Sequence, residues 1–358
     1  MLRSIDWPWP KNGRNGSLHD LSFTERMKIL VTGGTGFIGY SLAKRLLAVG
    51  HEVHVVGRSA SPPSSKNFEG IVYHPHDLSM QEIPSSIISG TDFVFHIAAK
   101  AGIGGPYSSY YRANYQATVN LLKNCMACQV PRMVFTSSPS VVFSGSSIRE
   151  GNESLAYVKS NLSSYATTKA LAERAVLDAH APGTFQTLAL RPHLVWGEGD
   201  PHLLPKVIQR HRAGKLKIVG SGENRVDLTH IDNVCHAHLC GMEALLENKT
   251  NGGKAYFIGQ NEPVRLWAWL NDLFEQLNLP PLKRKVSFGK AYLAGLILEK
   301  SWPLLRLRGD PPMTRFVACQ LAHDHWFSLE AAKKDLGYEP IRSMAESLEK
   351  SLDWLSAI

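Results

Sequence analysis

The sequence predicts an α/β protein built on a mostly parallel, doubly wound sheet. Three observations predict it. Residues 27–39 read Met-Lys-Ile-Leu-Val-Thr-Gly-Gly-Thr-Gly-Phe-Ile-Gly, a short apolar strand running into a glycine-rich turn. A helical pattern over Ser41–Val49 stops at Gly50, and a valine-rich strand, His51–Val56, follows. Strand and helix then keep alternating as far as Arg191-Pro192, the rhythm of a parallel sheet covered on both faces.

The first unit carries the strongest signal. Gly33, Gly36 and Gly39 are spaced three apart between a strand and a helix. The first permits a tight turn, the second lets backbone approach a pyrophosphate, and the third lets helix pack closely on strand. Free amides and the dipole at the helix start favour the phosphates, so the segment predicts dinucleotide binding on a Rossmann-type fold.

Later elements follow in order. Ile71–Tyr73 reads as a strand before His76-Asp77-Leu78, and Phe93–Ile97 as a strand ending in Ala98-Ala99. Tyr110–Cys128 reads as one long helix, Met133–Thr136 as a strand, Ser164–Ala179 as a helix and Gln186–Leu190 as a strand. Beyond Pro192 the pattern loosens: helices at Leu203–Ala213, Val234–Leu246, Leu266–Leu277 and Lys290–Leu298, with strands at Asp227–Ile231 and Ala255–Ile258. The expected organisation is a tail over 1–26, a Rossmann domain of 27–192 and 219–260, and a smaller C-terminal substrate-binding cap of 193–218 and 261–358. Met27 stands as a candidate natural start.

Bulk properties narrow the class. No apolar run is long enough to cross a bilayer, and the first 26 residues lack the apolar stretch of a secretory signal. Five scattered cysteines fit a reducing cytoplasm; Cys125 and Cys128 have no second pair at zinc-ribbon spacing. The chain carries a net charge of +8. Over 283–310, Lys283, Arg284, Lys285, Lys290, Lys300, Arg306 and Arg308 face only Glu299 and Asp310, a local +5. The excess is regional, which argues against a nucleic-acid surface. His236 and His238, two apart on a helix, point to different faces, and His323 and His325 align only on a strand; no metal set emerges, and none is expected.

Chemistry enters with Tyr165-Ala-Thr-Thr-Lys169 at a helix start, where tyrosine and lysine four apart share a face. Ser138 lies at the end of the upstream strand. This ordered glycine triplet, Ser138, Tyr165 and Lys169 resembles the extended short-chain dehydrogenase/reductase superfamily over nearly the whole chain from residue 27. Free tyrosine, with a pKa of about 10, donates weakly near neutrality; a neighbouring ammonium lowers it. The resemblance implies that Tyr165 is general acid in reduction and base in oxidation, that Lys169 also holds the nicotinamide ribose, and that Ser138 bonds the substrate oxygen. It places the cofactor against Gly33, Thr35, Gly36, Phe37, Ile38, Gly39, Asp77, Leu78, Ala98, Ala99, Lys100, Tyr165, Lys169, Pro192 and Val195, with Asn114 structural. At the end of the second strand, Val55-Val56-Gly57-Arg58-Ser59 has no carboxylate for a ribose 2′-hydroxyl, while Arg58 and Ser59 suit a 2′-phosphate. NADP(H) is favoured, with NAD(H) the alternative.

Within the superfamily, Ser138 is followed by Pro139 and Ser140 rather than the Asp-Glu of nucleotide-sugar dehydratases, and Val226 stands where epimerases carry arginine. The stretches 226–238, 99–114, 310–316 and 325–340 are similar to the 3β-hydroxysteroid dehydrogenase-like branch, most of all to bacterial 2-alkyl-3-oxoalkanoate reductases of olefin biosynthesis, which reduce a β-keto acid with two long alkyl chains. A steroid or sterol dehydrogenase is the first alternative, then a nucleotide-sugar epimerase, then a non-catalytic NADP-binding sensor. The apolar 291–307 region suits a hydrophobic small-molecule substrate. Its bases suit contact with a membrane surface or a partner enzyme, a substrate carboxylate, or plain solvation. The resemblance also implies a homodimer through the helices near 110–128 and 164–179.

Overall fold

A computed structural model describes residues 25–159, 162–248, 252–307 and 309–358. Most of the expected tail, and Arg308, lie outside the described residues.

Seven parallel strands form the main sheet: β1 (Lys28–Thr32), β2 (Glu52–Gly57), β3 (Ile71–Pro75), β4 (Phe93–His96), β5 (Arg132–Thr136), β6 (Gln186–Pro192) and β7 (Lys254–Ile258). Their spatial order is β3-β2-β1-β4-β5-β6-β7. The order reverses between β1 and β4, where ligands bind in open α/β sheets, outside the carboxyl ends of the strands. Register aligns those ends: Thr32 lies opposite both Val56 and His96, His96 opposite Phe135, and Thr136 opposite Leu190.

The strands read as continuous apolar runs because both faces are buried. Ile29, Val31, Phe93 and Phe95 pack on one face against α1 (Phe37–Ala48), while Leu30, Val94 and Phe135 pack on the other against α2 (Ala117–Ala127) and α3 (Ser164–Asp178). A second core belongs to the cap. Trp196 packs with Leu204 and Ile208 of α4 (Leu204–Arg212), while α5 (Ile231–Leu246) returns to the main sheet. Trp267, Trp269 and Phe274 of α6 (Leu266–Gln276) complete the cap core together with Ala291 of α7 (Phe288–Leu304) and Ala318 of α8 (Arg315–Ala322).

Residues beyond 325 divide between the two cores. Leu329, and Ala332 and Leu336 of α9 (Glu330–Leu336), with Tyr338, join the main-sheet core, whereas Leu348 and Leu355 of α10 (Met344–Ser356) join the cap. Buried Asp232 ties these parts together: it pairs with Arg45 of α1 and lies 2.6 Å from both Arg342 and Lys350.

Three elements differ from the sequence reading. The expected helix over 110–128 is interrupted by a π-helical stretch, Tyr111–Gln116, a distortion that periodicity does not report. The expected strand over 227–231 is two short ones, Arg225–Val226 and Thr229–His230, because Asp227 turns inward to accept the Phe327 amide at 2.8 Å. Helix α7 runs past Leu298 to Leu304, with Pro303 tolerated in its last turn. Two of these histidines serve packing: His238 is buried between Thr136 and Val234, and His325, on the strand His325–Phe327, accepts a 2.6 Å bond from His193.

Candidate active site

The carboxyl edge of the sheet opens into a cavity of about 560 Å³. Gly33, Thr35, Gly36, Phe37, Ile38 and Gly39 form its floor at the start of α1. Gly33 has φ +69°, and a Cβ there would lie 2.8 Å from the Ala98 backbone. A Cβ on Gly39 would collide with the Gly33 carbonyl group. No side chain caps α1, whose start therefore keeps amides for an anion. Ser137 Oγ lines the cavity and is buried with no hydrogen-bond partner among the described residues. A glycine cradle, an uncapped helix start and an orphaned hydroxyl together fit a dinucleotide. Gly33→Ala is expected to weaken NADPH binding at least tenfold, or about 1.4 kcal/mol, with far-UV circular dichroism unchanged; fluorescence titration reads it.

At the other end of the cavity stand Ser138, Tyr165 and Lys169. Ser138 follows β5 in extended conformation, and its hydroxyl accepts the Ser140 amide at 3.2 Å, which starts a 3-10 turn over Pro139–Val141. Tyr165 and Lys169 come from the first turns of α3, whose N-terminus is fixed by Ser163 accepting the Ala166 amide. Burial pushes the Tyr165 phenol above its ordinary value, and the hydrogen bond with Ser138 pulls it back. Lys169 is only 2% exposed; its ammonium donates to the Thr136 carbonyl at 2.6 Å and lies 3.9 Å from the Phe135 ring centre. Burial lowers its pKa to about 7, while the Glu173 carboxylate one turn on works in the opposite direction.

A buried polar chain positions the wall between these ends. Thr32 accepts the Ile97 and Ala98 amides, each at 3.2 Å, which leaves its hydroxyl proton for His96 Nδ1 at 2.7 Å. His96 Nε2 then donates to Thr118 at 2.8 Å, and Thr118 donates to the Asn114 carbonyl at 2.6 Å. Burial, reinforced by the Lys169 charge, lowers the His96 pKa to about 3, so it stays neutral. The π-helical stretch carries Asn114, whose amide accepts the Lys100 N–H at 2.6 Å and donates to the Lys100 carbonyl and the Thr168 hydroxyl, each at 3.1 Å. One side chain thus locks the Ala98-Ala99-Lys100 strip to the residue beside Lys169.

The sequence profile of the 3-beta hydroxysteroid dehydrogenase/isomerase family matches residues 30–288. The chain belongs to that family. A Stenotrophomonas maltophilia protein named 2-alkyl-3-oxoalkanoate reductase is 42% identical, covering 90% of this chain and 98% of that one. A Shewanella oneidensis protein of the same name is 39% identical over 89% and 84%. A mouse sterol-4-alpha-carboxylate 3-dehydrogenase, decarboxylating, is 34% identical over 91% and 90%. Among solved structures, gox2253 matches with a TM-score of 0.75 at 23% identity, covering 93% of this chain and 98% of that one. MoeE5 in complex with UDP-glucuronic acid and NAD matches at 0.69 and 24%, covering 91% and 98%. These likenesses show the doubly wound fold. As a member of this family, the protein is an NAD(P)-dependent oxidoreductase acting on CH–OH groups.

In this family member the cavity gathers the residues that the sequence reading grouped, with one exception. Arg58, Asp77, Leu78, Ala98, Ala99, Lys100, Pro192 and Val195 all line it. Ser59 does not: it is exposed one residue beyond, where its carbonyl accepts the Tyr73 hydroxyl at 2.6 Å. Asp77 is held in an Asx turn, accepting from Ser79 N and Oγ at 2.9 and 2.7 Å. None of the described bases of 283–310 lines the cavity, so among the described residues it is Lys100 that brings an ammonium to the wall beside Ala99.

Sequence reasoning missed the segment Asp200–Leu203, which closes one side of the cavity. Asp200 accepts the amides of His202 at 2.7 Å and Leu204 at 2.9 Å, anchoring the segment at the start of α4. An Asp-Pro step just ahead of a helical pattern was the available signal. Ala113 and Ala117 also line the cavity, brought there by the π-helical stretch.

Proposed function

We propose that the protein is an NADP(H)-dependent reductase interconverting a 2-alkyl-3-oxoalkanoate and the corresponding 2-alkyl-3-hydroxy acid. The observation that carries this reading is the convergence of Ser138, Tyr165 and Lys169 on the cavity floored by the glycine turn. The substrate class is taken from the two bacterial relatives, which span most of both chains. The mammalian relative supports a second reading, a sterol carboxylate. Both names place a carboxylate on the carbon next to the reacting one. Lys100 suits that group: its ammonium meets Ser109 at 2.7 Å and the Tyr110 ring at 4.6 Å, with no carboxylate in ion-pair reach among the described residues.

When bound, the nicotinamide supplies the hydride. Ser138 then donates to the substrate oxygen as negative charge grows there. Tyr165 gives that oxygen its phenolic proton, and the Lys169 charge beside it stabilises the phenolate left behind.

The NADP preference rests on Arg58, exposed at the rim where β2 ends without a carboxylate. Lys66 adds a second cation beside the glycine turn, donating to the Thr35 and Gly36 carbonyls at 3.0 and 3.2 Å. No helix among the described residues is long and apolar enough to cross a membrane. We further propose peripheral association with a membrane surface through 283–310.

The test is reduction of NADP⁺ and NAD⁺ with a long-chain 2-alkyl-3-hydroxyalkanoic acid, the stable direction because a free β-keto acid loses carbon dioxide. Turnover at least tenfold more efficient with NADP⁺ is expected, and Arg58→Ala is expected to erase that margin, roughly 1.4 kcal/mol. A protein that binds NADP⁺ yet ignores this acid while oxidising a sterol carboxylate moves the second reading to the front.

A further inference from the structure

The reduction proposed for this site carries a hazard. A 3-oxo acid loses carbon dioxide when the bond between its α-carbon and its carboxylate breaks and the electron pair enters the ketone as an enolate. Hydride addition puts charge on the same ketone oxygen. Ser138 and Tyr165, which favour the growing alkoxide, therefore favour the enolate too. The enolate then takes a proton at carbon, and the substrate is lost as a ketone without its acid group. The two paths differ at the carboxylate. It gives up its negative charge on the way to carbon dioxide and keeps that charge during hydride transfer. A cation paired with it opposes the first path and is nearly neutral to the second.

Arg58, Lys100 and Lys169 bring guanidinium or ammonium groups to the cavity lining. Arg58 stands at the end of β2, and Lys169 is held on the Thr136 carbonyl. Lys100 is half-buried, and its setting is built around the ammonium. The Ser109 hydroxyl gives its proton to the Pro106 carbonyl at 2.8 Å, which leaves its oxygen to accept from Lys100 at 2.7 Å. The Tyr110 ring lies 4.6 Å from the same nitrogen, with its own hydroxyl donating to the Gly104 carbonyl at 2.8 Å. Gly105, at φ +99°, leaves room: a Cβ there would lie 3.3 Å from Lys100 Nζ. Asp310 reaches this loop, 3.5 Å from a Cβ built on Gly102, yet forms no ion pair with Lys100. One of the three ammonium N–H groups is spent on Ser109, and the charge has no carboxylate partner among the described residues.

Its place relative to the reacting oxygen is fixed by backbone. Lys100 follows β4 and Ser138 follows β5, adjacent parallel strands with His96 opposite Phe135. The Asn114 amide that grips the Lys100 N–H and carbonyl also donates to Thr168, the neighbour of Lys169. The Tyr110 phenol is raised to about 12 by burial and then by Asp310 and Tyr165, so the ring beside the ammonium lies within electrostatic reach of Tyr165. Resting on the substrate reading above, we propose that Lys100 pairs with the carboxylate of the 3-oxo acid and thereby commits it to reduction instead of decarboxylation.

The test incubates freshly prepared long-chain 2-alkyl-3-oxoalkanoic acid with NADPH and the full chain. Mass spectrometry then counts the 2-alkyl-3-hydroxy acid and the ketone left by decarboxylation, above an enzyme-free control. Wild type is expected to give the hydroxy acid in large excess over enzyme-dependent ketone. Lys100→Met keeps the length of the side chain and removes its charge. It is expected to lower that product ratio by about tenfold or more, the usual worth of a charge-assisted hydrogen bond. Lys100→Arg keeps the charge and is expected to stay within about threefold of wild type on the same grounds. Wild type that reduces the acid beside a Met variant with the same product ratio overturns the role of Lys100 and leaves the substrate reading standing. Ketone as the main enzyme-dependent product of wild type does the same. A Met variant that loses NADPH affinity tenfold makes Lys100 a cofactor residue and overturns its carboxylate role. Wild type that binds NADPH and turns over none of this acid overturns the substrate reading, and the role of Lys100 with it.

Discussion

Tyr165→Phe is expected to lower kcat by about a thousandfold or more while leaving NADPH affinity within about twofold, since a positioned general acid contributes some 10²–10⁴ to a rate. The substitution removes one oxygen and keeps the ring. The proton for the new alcohol then has to come from water, in a cavity whose walls are largely apolar. The loss corresponds to about 4 kcal/mol of transition-state stabilisation. A phenol raised by burial is a poor donor on its own, and the Ser138 hydrogen bond pulls it back, while Lys169 stands one turn on along the same helix face. Steady-state kinetics beside a fluorescence titration separates the outcomes. A Phe variant with a tenth of wild-type turnover or more removes Tyr165 from the acid role, and lost NADPH binding makes it a cofactor residue instead.

Legibility in the sequence followed how local each cause is. The glycine turn was readable because its backbone demands are mostly local, the positive φ of Gly33 and the close approach of Gly39 to Gly33, and the Tyr165/Lys169 face because helix periodicity alone sets it. Apolar runs such as Ile29–Val31 and Phe93–Phe95 announced strands buried on both faces. The π-helical stretch at Tyr111–Gln116 was invisible, because its hydrogen-bond slip leaves the apolar pattern of the helix nearly intact. Asp200 and its segment were missed for another reason: their place at the cavity depends on how the cap folds back, a long-range fact. Ser59 falls outside the cavity lining because the chain bends away past the end of β2, where its carbonyl accepts the Tyr73 hydroxyl. The bases of 283–310 were legible as a cluster, yet only the packing of Gly295 on Thr314 reveals which way the helix faces.

Glu173→Gln is expected to act on both stability and pH dependence, and the two readouts separate its roles. Tyr165, Lys169 and Glu173 succeed one another every four residues along α3, so the carboxylate stands one turn behind the ammonium. Glu173 is fully buried; it accepts Arg191 Nε at 3.0 Å and Nη2 at 2.5 Å, and the Tyr157 hydroxyl at 2.7 Å. Glutamine keeps much of the shape but leaves the buried Arg191 guanidinium without its counter-charge, a loss of about 3 kcal/mol by the usual cost of breaking such a pair. The charge also reaches Lys169, whose amine burial already lowers to about 7 and which Glu173 holds up. The active form needs the ammonium, present below that pKa and lost above it, so removing Glu173 shifts the alkaline limb of kcat to lower pH. Linkage gives the same sign. An amine at 10.5 when unfolded and about 7 when folded leaves the unfolded chain holding more protons between those values, so stability from this group rises with pH across that window. In the variant the rise begins at lower pH. Were Glu173 purely structural, its replacement would lower the melting temperature and leave the alkaline limb where it stands in wild type; a limb that moves down together with the stability curve assigns it the further task of keeping Lys169 charged.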